Sequence, residues 1–234
     1  GRLLKNTFLI SGLTILFGFP APIILALMIN EVKNSAFKRT VQTITYMPYF
    51  ISMVVLCGLL KTFCMQDGLF AQIAVLFGGK AQNYLANPAY FRTIYVLSDI
   101  WSGIGWNSII YLAALSSIDQ EQYEAARVDG ANRFQQMLHI TLPGLVPTIM
   151  VLFILRMGNI LNVGYEKILL LYNSATYSTA DVISTYTYRL SFGGSGNPMY
   201  SKSTAIGLFN TIINVFFLML TNMISKKATD AGLF

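Results

Sequence analysis

The stretch Ser117–Pro143, SIDQEQYEAARVDGANRFQQMLHITLP, is the most polar stretch of its length in the sequence and separates two long apolar runs. Its pattern predicts two short helices with a corner between them. Gly130 can end the first helix in a left-handed turn that a residue with a Cβ would resist. The first helix has two candidate capping pairs, which are Asp119 with Gln122 and Ser117 with Gln120. A bent polar loop of this kind is suited to docking another protein.

The second half of this loop carries the signals of a new helix. Asn132 with Gln135 offers a capping pair from which the chain can restart. Pro143 suits the first turn of the apolar helix that follows, because its missing N–H is not needed there.

The composition predicts an integral membrane protein. Of the 234 residues, 54% are hydrophobic and only 11% are charged, whereas about a quarter of a soluble domain is charged. The apolar runs reach the roughly 20 residues that cross a bilayer. We therefore expect a single transmembrane domain over residues 1–234. The 16 Lys and Arg residues are scattered rather than clustered, which argues against a nucleic-acid partner.

The apolar runs predict five membrane spans and one shorter helix. Pro20 and Pro22 should kink the first span, and Pro48 interrupts the second. The patch Leu69–Phe77 is too short to span and is expected to lie at the interface. A polar, Tyr-rich connection fills Gly164–Lys202 and includes the flexible stretch Gly193–Pro198. The predicted spans run approximately over Thr7–Ile29, Val41–Phe63, Ala89–Leu115, Leu145–Val163 and Ser203–Ser225.

Positive charge favours one orientation of these spans. If the tail with Lys226 and Lys227 is cytoplasmic, the polar loop 117–143 lies on the same side. So does the short link that carries Lys33, Lys38 and Arg39. The outer side also has basic residues, which are Lys80, Arg92, Lys167, Arg189 and Lys202. The sequence begins at Gly1 without a signal-peptide pattern, so we expect a further N-terminal helix to be missing.

Within the polar loop, Glu124-Ala125-Ala126 is followed after three residues by Gly130, and nine residues later by Ile140, one spacer and Leu142-Pro143. This pattern resembles the cytoplasmic "EAA" loop of permease subunits of binding-protein-dependent ABC importers. Other stretches resemble the carbohydrate-uptake branch of these permeases, which includes those for oligosaccharides and polysaccharide fragments. These stretches are Met47–Ser52, Gly158–Asn173, Asp181–Arg189 and Thr204–Asn210.

The resemblance implies an all-α, polytopic helical bundle with the type I ABC importer permease fold, in the plasma membrane of a bacterium. It implies three protein partners, which are a second homologous permease, an ATPase dimer and an extracellular or periplasmic solute-binding protein. ATP and Mg²⁺ would be bound by the ATPase, with no cofactor in this chain. The loop would act as a coupling helix through Glu124, Ala125, Ala126, Asp129, Gly130, Ile140, Leu142 and Pro143.

Sugars are bound by aromatic faces together with amide and hydroxyl groups, and the predicted spans offer such side chains. Asp99 and Arg156 lie inside spans, where a charge is costly. They can pair with each other, one of them can lie near an interface and extend its charged end into water, or they can line the pathway. The candidate pathway residues are Tyr46, Tyr49, Trp101, Trp106, Asn107, Arg156, Asn159, Asn162 and Tyr165.

Nothing in the sequence indicates catalysis. The run Gly78-Gly79-Lys80 lacks the first glycine and the Ser or Thr of a Walker A loop, so the ATPase must be another chain. His139 is the only histidine, which excludes a zinc site or triad built on several histidines. Cys57 and Cys64 lie about two helical turns apart, too far to form a disulfide.

Other transport functions leave different signatures. An importer of another solute, such as phosphate, would favour a cluster of cations, and only Arg156 is available within the spans. A secondary transporter driven by an ion gradient would show inverted repeats, and none is visible. A membrane scaffold would not need the mid-membrane residues Asn159 and Asn162.

Overall fold

The computed structural model describes residues 1–192, 198–229 and 232–233, and these residues form α-helices, 3-10 turns and π turns without a β-strand. Residues 193–197 of the predicted flexible stretch lie outside the described part of the chain. The predicted all-α membrane bundle is confirmed. Among the described residues, four helices are both long and apolar enough to cross a membrane, and they are Arg2–Glu31, Met53–Leu76, Arg133–Met157 and Tyr200–Lys227.

The first membrane helix is interrupted just before its prolines. Helix α1 (Arg2–Leu13) is followed by a π turn over Thr14–Gly18, and α2 (Pro20–Glu31) completes the span. Pro20 has no N–H, and its ring would clash with the carbonyl four residues earlier in a regular α-helix. A π turn widens the helix at that point. The distortion predicted from the prolines therefore occurs as a π turn.

The second predicted span, Val41–Phe63, is wrong as a single helix. Helix α3 (Ser35–Tyr46) has no buried residue, and a 3-10 turn over Met47–Phe50 separates it from α4 (Met53–Cys64). The break is local in origin, because Pro48 is the second residue of the 3-10 turn and Ser52 caps α4, accepting the N–H of Val55 at 3.4 Å.

The short apolar patch after α4 forms a helix, as predicted. This helix is α5 (Leu69–Leu76), and a turn joins it to α4. By length and hydropathy the two helices count together as the second membrane span, Met53–Leu76.

The predicted third span is α6 (Pro88–Ser116), which is capped by the Asn87 carboxamide. Its 29 residues correspond to about 43 Å, enough to cross a bilayer. It is not among the four helices selected by hydropathy, and it carries polar groups such as Asp99 and Asn107. Helix α6 packs against α2, α3 and the following α9 (Leu142–Met157), so it lies at the centre of the bundle.

The polar loop leads into a membrane helix without a fresh start at Pro143. Helix α7 (Gln120–Val128) is followed by α8 (Arg133–Gln136), a π turn over Met137–Thr141, and α9. The last three are continuous, so the helix predicted to begin at Pro143 has already begun at Arg133. As in the first span, the π turn lies just before a proline.

The end of the fourth span also differs from the prediction. Helix α9 ends at Met157, with Gly158 as its C-cap, instead of continuing to Val163. A Cβ on Gly158 would lie 2.7 Å from the Leu218 side chain, so α9 ends in close contact with the last membrane helix.

The interval Gly164–Lys202 is not merely a polar connection. It contains α10 (Tyr165–Leu171), α11 (Tyr177–Ala180) and α12 (Ile183–Phe192), and α13 begins at Tyr200 and ends at Thr229. The apolar side chains of these short helices enter the main core beside α1, α4 and α6. The contributing residues are Ile168, Leu171 and Ala180, together with Val182 from the link between α11 and α12. A second core joins α2, α6 and α9 through Ala26, Tyr111, Leu115 and Leu145.

A buried ion pair fixes the stretch Asp181–Arg189. The Arg189 guanidinium lies 2.8 Å from both carboxylate oxygens of Asp181, which is 2% exposed. Asp181 raises the pKa of Arg189, and Thr185 donates a further hydrogen bond to the same carboxylate at 2.8 Å. Asn6 donates to the Asp181 carbonyl at 2.9 Å, so the pair is tied to the first membrane helix.

Candidate functional site

The corner of the polar loop is built as the sequence predicts. The Asp119 carboxylate accepts the N–H of Glu121 at 3.0 Å and caps α7, but among the described residues Gln122 does not complete a capping box with it. Ser117 belongs to the end of α6. Gly130 has φ +79°, in the left-handed region. The Asn132 and Gln135 side chains each accept the other residue's backbone N–H, at 2.9 and 2.8 Å, which completes the predicted capping box.

Contacts across the corner hold the two arms of the loop together. The Tyr123 hydroxyl on α7 lies 3.0 Å from the Thr141 hydroxyl, which is 3% exposed. Gln136 donates to the Ala131 carbonyl at 2.9 Å. An ion pair between Arg133 and Glu31 spans 3.4 Å, but both side chains are about half exposed, so it contributes little.

Half of the predicted coupling residues line a hollow on the exposed side of this corner. The cavity is about 300 Å³ in volume, and its wall includes the α7 end, the corner glycine and the π turn. Neither Glu124 nor Asp129 forms an ion pair with any residue that the structure describes. Among the predicted residues, Ala126, Asp129, Gly130 and Ile140 line the hollow, while Glu124, Ala125, Leu142 and Pro143 lie outside its wall.

Two adjoining cavities lie between the first membrane helix, α6 and α9. The outer cavity measures about 320 Å³ and also touches α10, and the inner cavity measures about 230 Å³. Thr14, Asp99 and Arg156 line both of them. The π turn of the first span thus forms part of a polar hollow inside the bundle.

Asp99 does not pair with Arg156, which was one of the alternatives left open by the sequence. Asp99 instead forms an ion pair with Lys167 of α10, with 3.3 Å between Nζ and Oδ1. Lys167 is 2% exposed, donates to the Tyr95 carbonyl at 3.1 Å and lies 4.5 Å from the centre of the Tyr95 ring. Burial lowers the pKa of Lys167, and the Asp99 carboxylate opposes that effect. Lys167 was missed because the alternation of the predicted spans placed it in an outer connection.

Four of the predicted pathway residues line these cavities. Asn107 belongs to the inner cavity, Arg156 to both, and Asn159 and Asn162 to the outer cavity. The two asparagines are not on a helix but in the turn after α9, where Asn162 donates to the Asn159 carboxamide at 3.1 Å.

The other five predicted residues lie elsewhere. Tyr49 stacks on Trp106 with 4.6 Å between ring centroids, and Tyr165 stacks on Tyr188 at 5.5 Å. Tyr46 ends α3 beside Gly105 of α6. Trp101 lines a separate apolar cavity of about 590 Å³ between α4, α5 and α6.

Comparisons with known proteins agree with this arrangement. Residues 18–230 match the family described as the binding-protein-dependent transport system inner membrane component. The chain is 43% identical over 234 residues to protein LplB of Bacillus subtilis, and it covers 73% of that protein.

Two further similarities involve named carbohydrates. The chain is 41% identical over 233 residues to the polygalacturonan/rhamnogalacturonan transport system permease protein YteP of Bacillus subtilis, covering 99% of this chain and 72% of that protein. It is also similar to a chain in the crystal structure of a bacterial alginate ABC transporter in complex with alginate pentasaccharide-bound periplasmic protein. That chain is 47% identical with a TM-score of 0.94, and the match covers 99% of this chain and 80% of that one.

Proposed function

Because this chain belongs to the family of binding-protein-dependent transport system inner membrane components, we propose that it forms half of the pathway of an ATP-driven importer for oligosaccharides. It is a transporter subunit of the bacterial plasma membrane, and it crosses that membrane several times. A second permease, an ATPase dimer and a solute-binding protein complete the assembly. ATP and Mg²⁺ are bound by the ATPase.

The carrying observation is the match of nearly the whole chain to a chain of a bacterial alginate ABC transporter, at 47% identity and a TM-score of 0.94. The names of two similar proteins refer to polygalacturonan and alginate. These names favour fragments of polysaccharides as the substrate class. The polar cavities between the first span, α6 and α9 supply the hydroxyl and amide groups that such substrates need.

Coupling to ATP hydrolysis is assigned to the loop corner. The side chains of Ala125 and Ala126 keep one face of α7 thin, so a partner surface can approach closely. Glu124 and Asp129 offer carboxylates to cations of that surface. The loop joins α6 to the continuous helix Arg133–Met157, and both helices line the inner cavity. A movement of the corner would therefore move two walls of that cavity.

The test is reconstitution of the complete assembly. The tagged chain is purified gently from its native membrane, and bound proteins are identified by mass spectrometry. The complex is then placed in liposomes, with the binding protein and oligosaccharide on one side of the membrane and ATP on the other. ATP-dependent transport of the oligosaccharide across the membrane is measured. We expect co-purification of an ATPase and a second permease, together with uptake that stops when the ATPase is inactivated.

The alternatives give different results in the same experiment. A secondary transporter would be recovered without an ATPase and would respond to an ion gradient instead of ATP. An importer of a non-sugar solute would bring an ATPase with it, but no oligosaccharide would be taken up.

A further inference from the structure

Arg156 is the one charged residue of the cavities' shared wall that lacks a partner. Among the residues that the structure describes, its guanidinium forms no hydrogen bond and no ion pair, although the side chain is exposed to both cavities. The nearby carboxylate of Asp99 is already held by Lys167 at 3.3 Å. The position of Arg156 in the last turn of α9 favours a cation through the helix dipole but does not bind its N–H groups.

An unpaired guanidinium at this depth requires an explanation. A charge among membrane helices is costly and marks a functional site by default. Guanidinium groups suit carboxylates in particular, since two parallel N–H groups meet two oxygens. A carboxylate of a ligand that enters the cavity could form an ion pair with Arg156 and leave the Asp99–Lys167 pair intact.

The charged residues of the two cavities indicate which of them would hold this carboxylate. The outer cavity also contains Glu166 and the Asp99–Lys167 pair, and Glu166 would repel an anion. Among the described residues, Asp99, which is already paired, is the only acidic one in the wall of the inner cavity. An anionic group is therefore favoured on the inner side of Arg156.

The inner cavity also contains groups that can bind the hydroxyl and C–H groups of a sugar unit. The Asn107 carboxamide lines it and forms no hydrogen bond to any described residue, so both its donor and its acceptor are available to hydroxyl groups. Phe19 and Ile104 contribute apolar walls that can face the C–H groups of a sugar ring. The cavity volume of about 230 Å³ suits a single unit better than a chain.

We infer that Arg156 and Asn107 form a binding site for a uronic acid unit, in which the guanidinium of Arg156 pairs with the sugar carboxylate. This inference rests on the proposed function and narrows its substrate class to acidic oligosaccharides. Asp99 and Lys167 would act as a neutral pair behind the site.

The test measures binding to the purified permease–ATPase complex without the binding protein, so that the binding protein's own selectivity plays no part. Two probes of equal length are titrated calorimetrically, which are trigalacturonate and its methyl ester. We expect the wild-type complex to bind the acid at least tenfold more tightly than the ester. This is the contrast that a charge-assisted pair provides. R156Q should remove the contrast, and R156K should restore part of it.

A matched control is K61Q, which removes a cation from an exposed position of α4 outside both cavities. It should leave the contrast between the two probes unchanged. Each variant is first checked for thermal unfolding and for co-purification of the second permease and the ATPase.

Four results would overturn the inference. They are the absence of detectable acid binding, equal affinities for the two probes, a contrast that persists in R156Q, and loss of the second permease from R156Q. The last would mean that Arg156 pairs with a carboxylate of that subunit. If the wild type also takes up no oligosaccharide in liposomes, the proposed function fails as well. Uptake without an Arg156-dependent contrast rejects only the uronate site.

Discussion

The ammonium group of Lys167 lies 3.3 Å from Oδ1 of Asp99, although the two residues are 68 positions apart in the chain. The two ends of this ion pair differ in environment, since the Lys167 side chain is 3% exposed and that of Asp99 is 40% exposed. Removal of the Asp99 charge and removal of the Lys167 charge should therefore lower the unfolding free energy by different amounts.

We predict that Asp99→Asn destabilises the protein more than Lys167→Met. Asp99→Asn leaves a buried ammonium group without its counter-ion, which should cost about 3 kcal/mol of unfolding free energy. Lys167→Met leaves a carboxylate that still contacts water, and its cost should be about 1 kcal/mol or less. Thermal unfolding in detergent compares the two, and the double variant should be more stable than Asp99→Asn alone. A larger loss for Lys167→Met would contradict this account.

Gly130 provides a second prediction, because its φ of +79° is rarely adopted by residues with a side chain. Gly130→Val and Gly130→Pro should abolish oligosaccharide uptake and leave membrane insertion intact. A Cβ at this position would meet no atom within 4 Å, so the damage comes from the backbone and not from a clash. Gly130→Asn is the matched control and should retain most uptake, since Asn tolerates the left-handed region. Normal uptake by Gly130→Val would remove the argument for a fixed corner.

The close approach of α3 and α6 at Gly105 leads to a third prediction. A Cβ on Gly105 would collide with the backbone carbonyl of Thr45, which cannot move as a side chain does. Gly105→Ala should therefore lower the unfolding temperature and the yield of folded protein, with a loss of about 2 kcal/mol. Gly58→Ala in α4 is the control, because a Cβ there meets nothing within 4 Å. It should be neutral or slightly stabilising, and equal losses for the two would contradict the packing argument.

A fourth prediction concerns the tie between Tyr123 and Thr141 at 3.0 Å. Tyr123→Phe removes one hydroxyl from the loop corner and should cost about 1 kcal/mol. If the corner transmits motion as a rigid unit, this variant should hydrolyse ATP but import less oligosaccharide for each ATP consumed. The ratio of uptake to hydrolysis in liposomes measures the effect. Thr141→Val should behave in the same way, and the double variant should be no worse than either single one.

The features predicted correctly from the sequence are mostly those fixed by neighbouring residues. The cap at Asp119, the left-handed Gly130 and the capping box of Asn132 with Gln135 each depend on atoms within a few positions. The distortion beside Pro20 is local in the same sense, because it follows from the missing N–H.

The errors arise where the structure depends on contacts between residues that are far apart in the sequence. The partner of Asp99 could not be identified, because the alternation of the predicted spans placed Lys167 in an outer connection. The interval Gly164–Lys202 looked like a polar connection because its helices are short, and their apolar residues are buried only by contact with α1, α4 and α6. Of the predicted pathway residues, five are aromatic residues now located away from the polar cavities, since an aromatic side chain packs as readily as it binds sugar.

The π turn at Met137–Thr141 sets the angular phase of the helix that follows it. Each residue of an α-helix advances the chain by about 100° around the axis, so one residue more or less in this turn would rotate everything after it by that angle. Arg156 lies downstream on the same continuous helix. A single-residue deletion within the turn would carry it from the cavity toward another side of the helix. The number of residues in this π turn thus determines which side of the following helix faces the cavity.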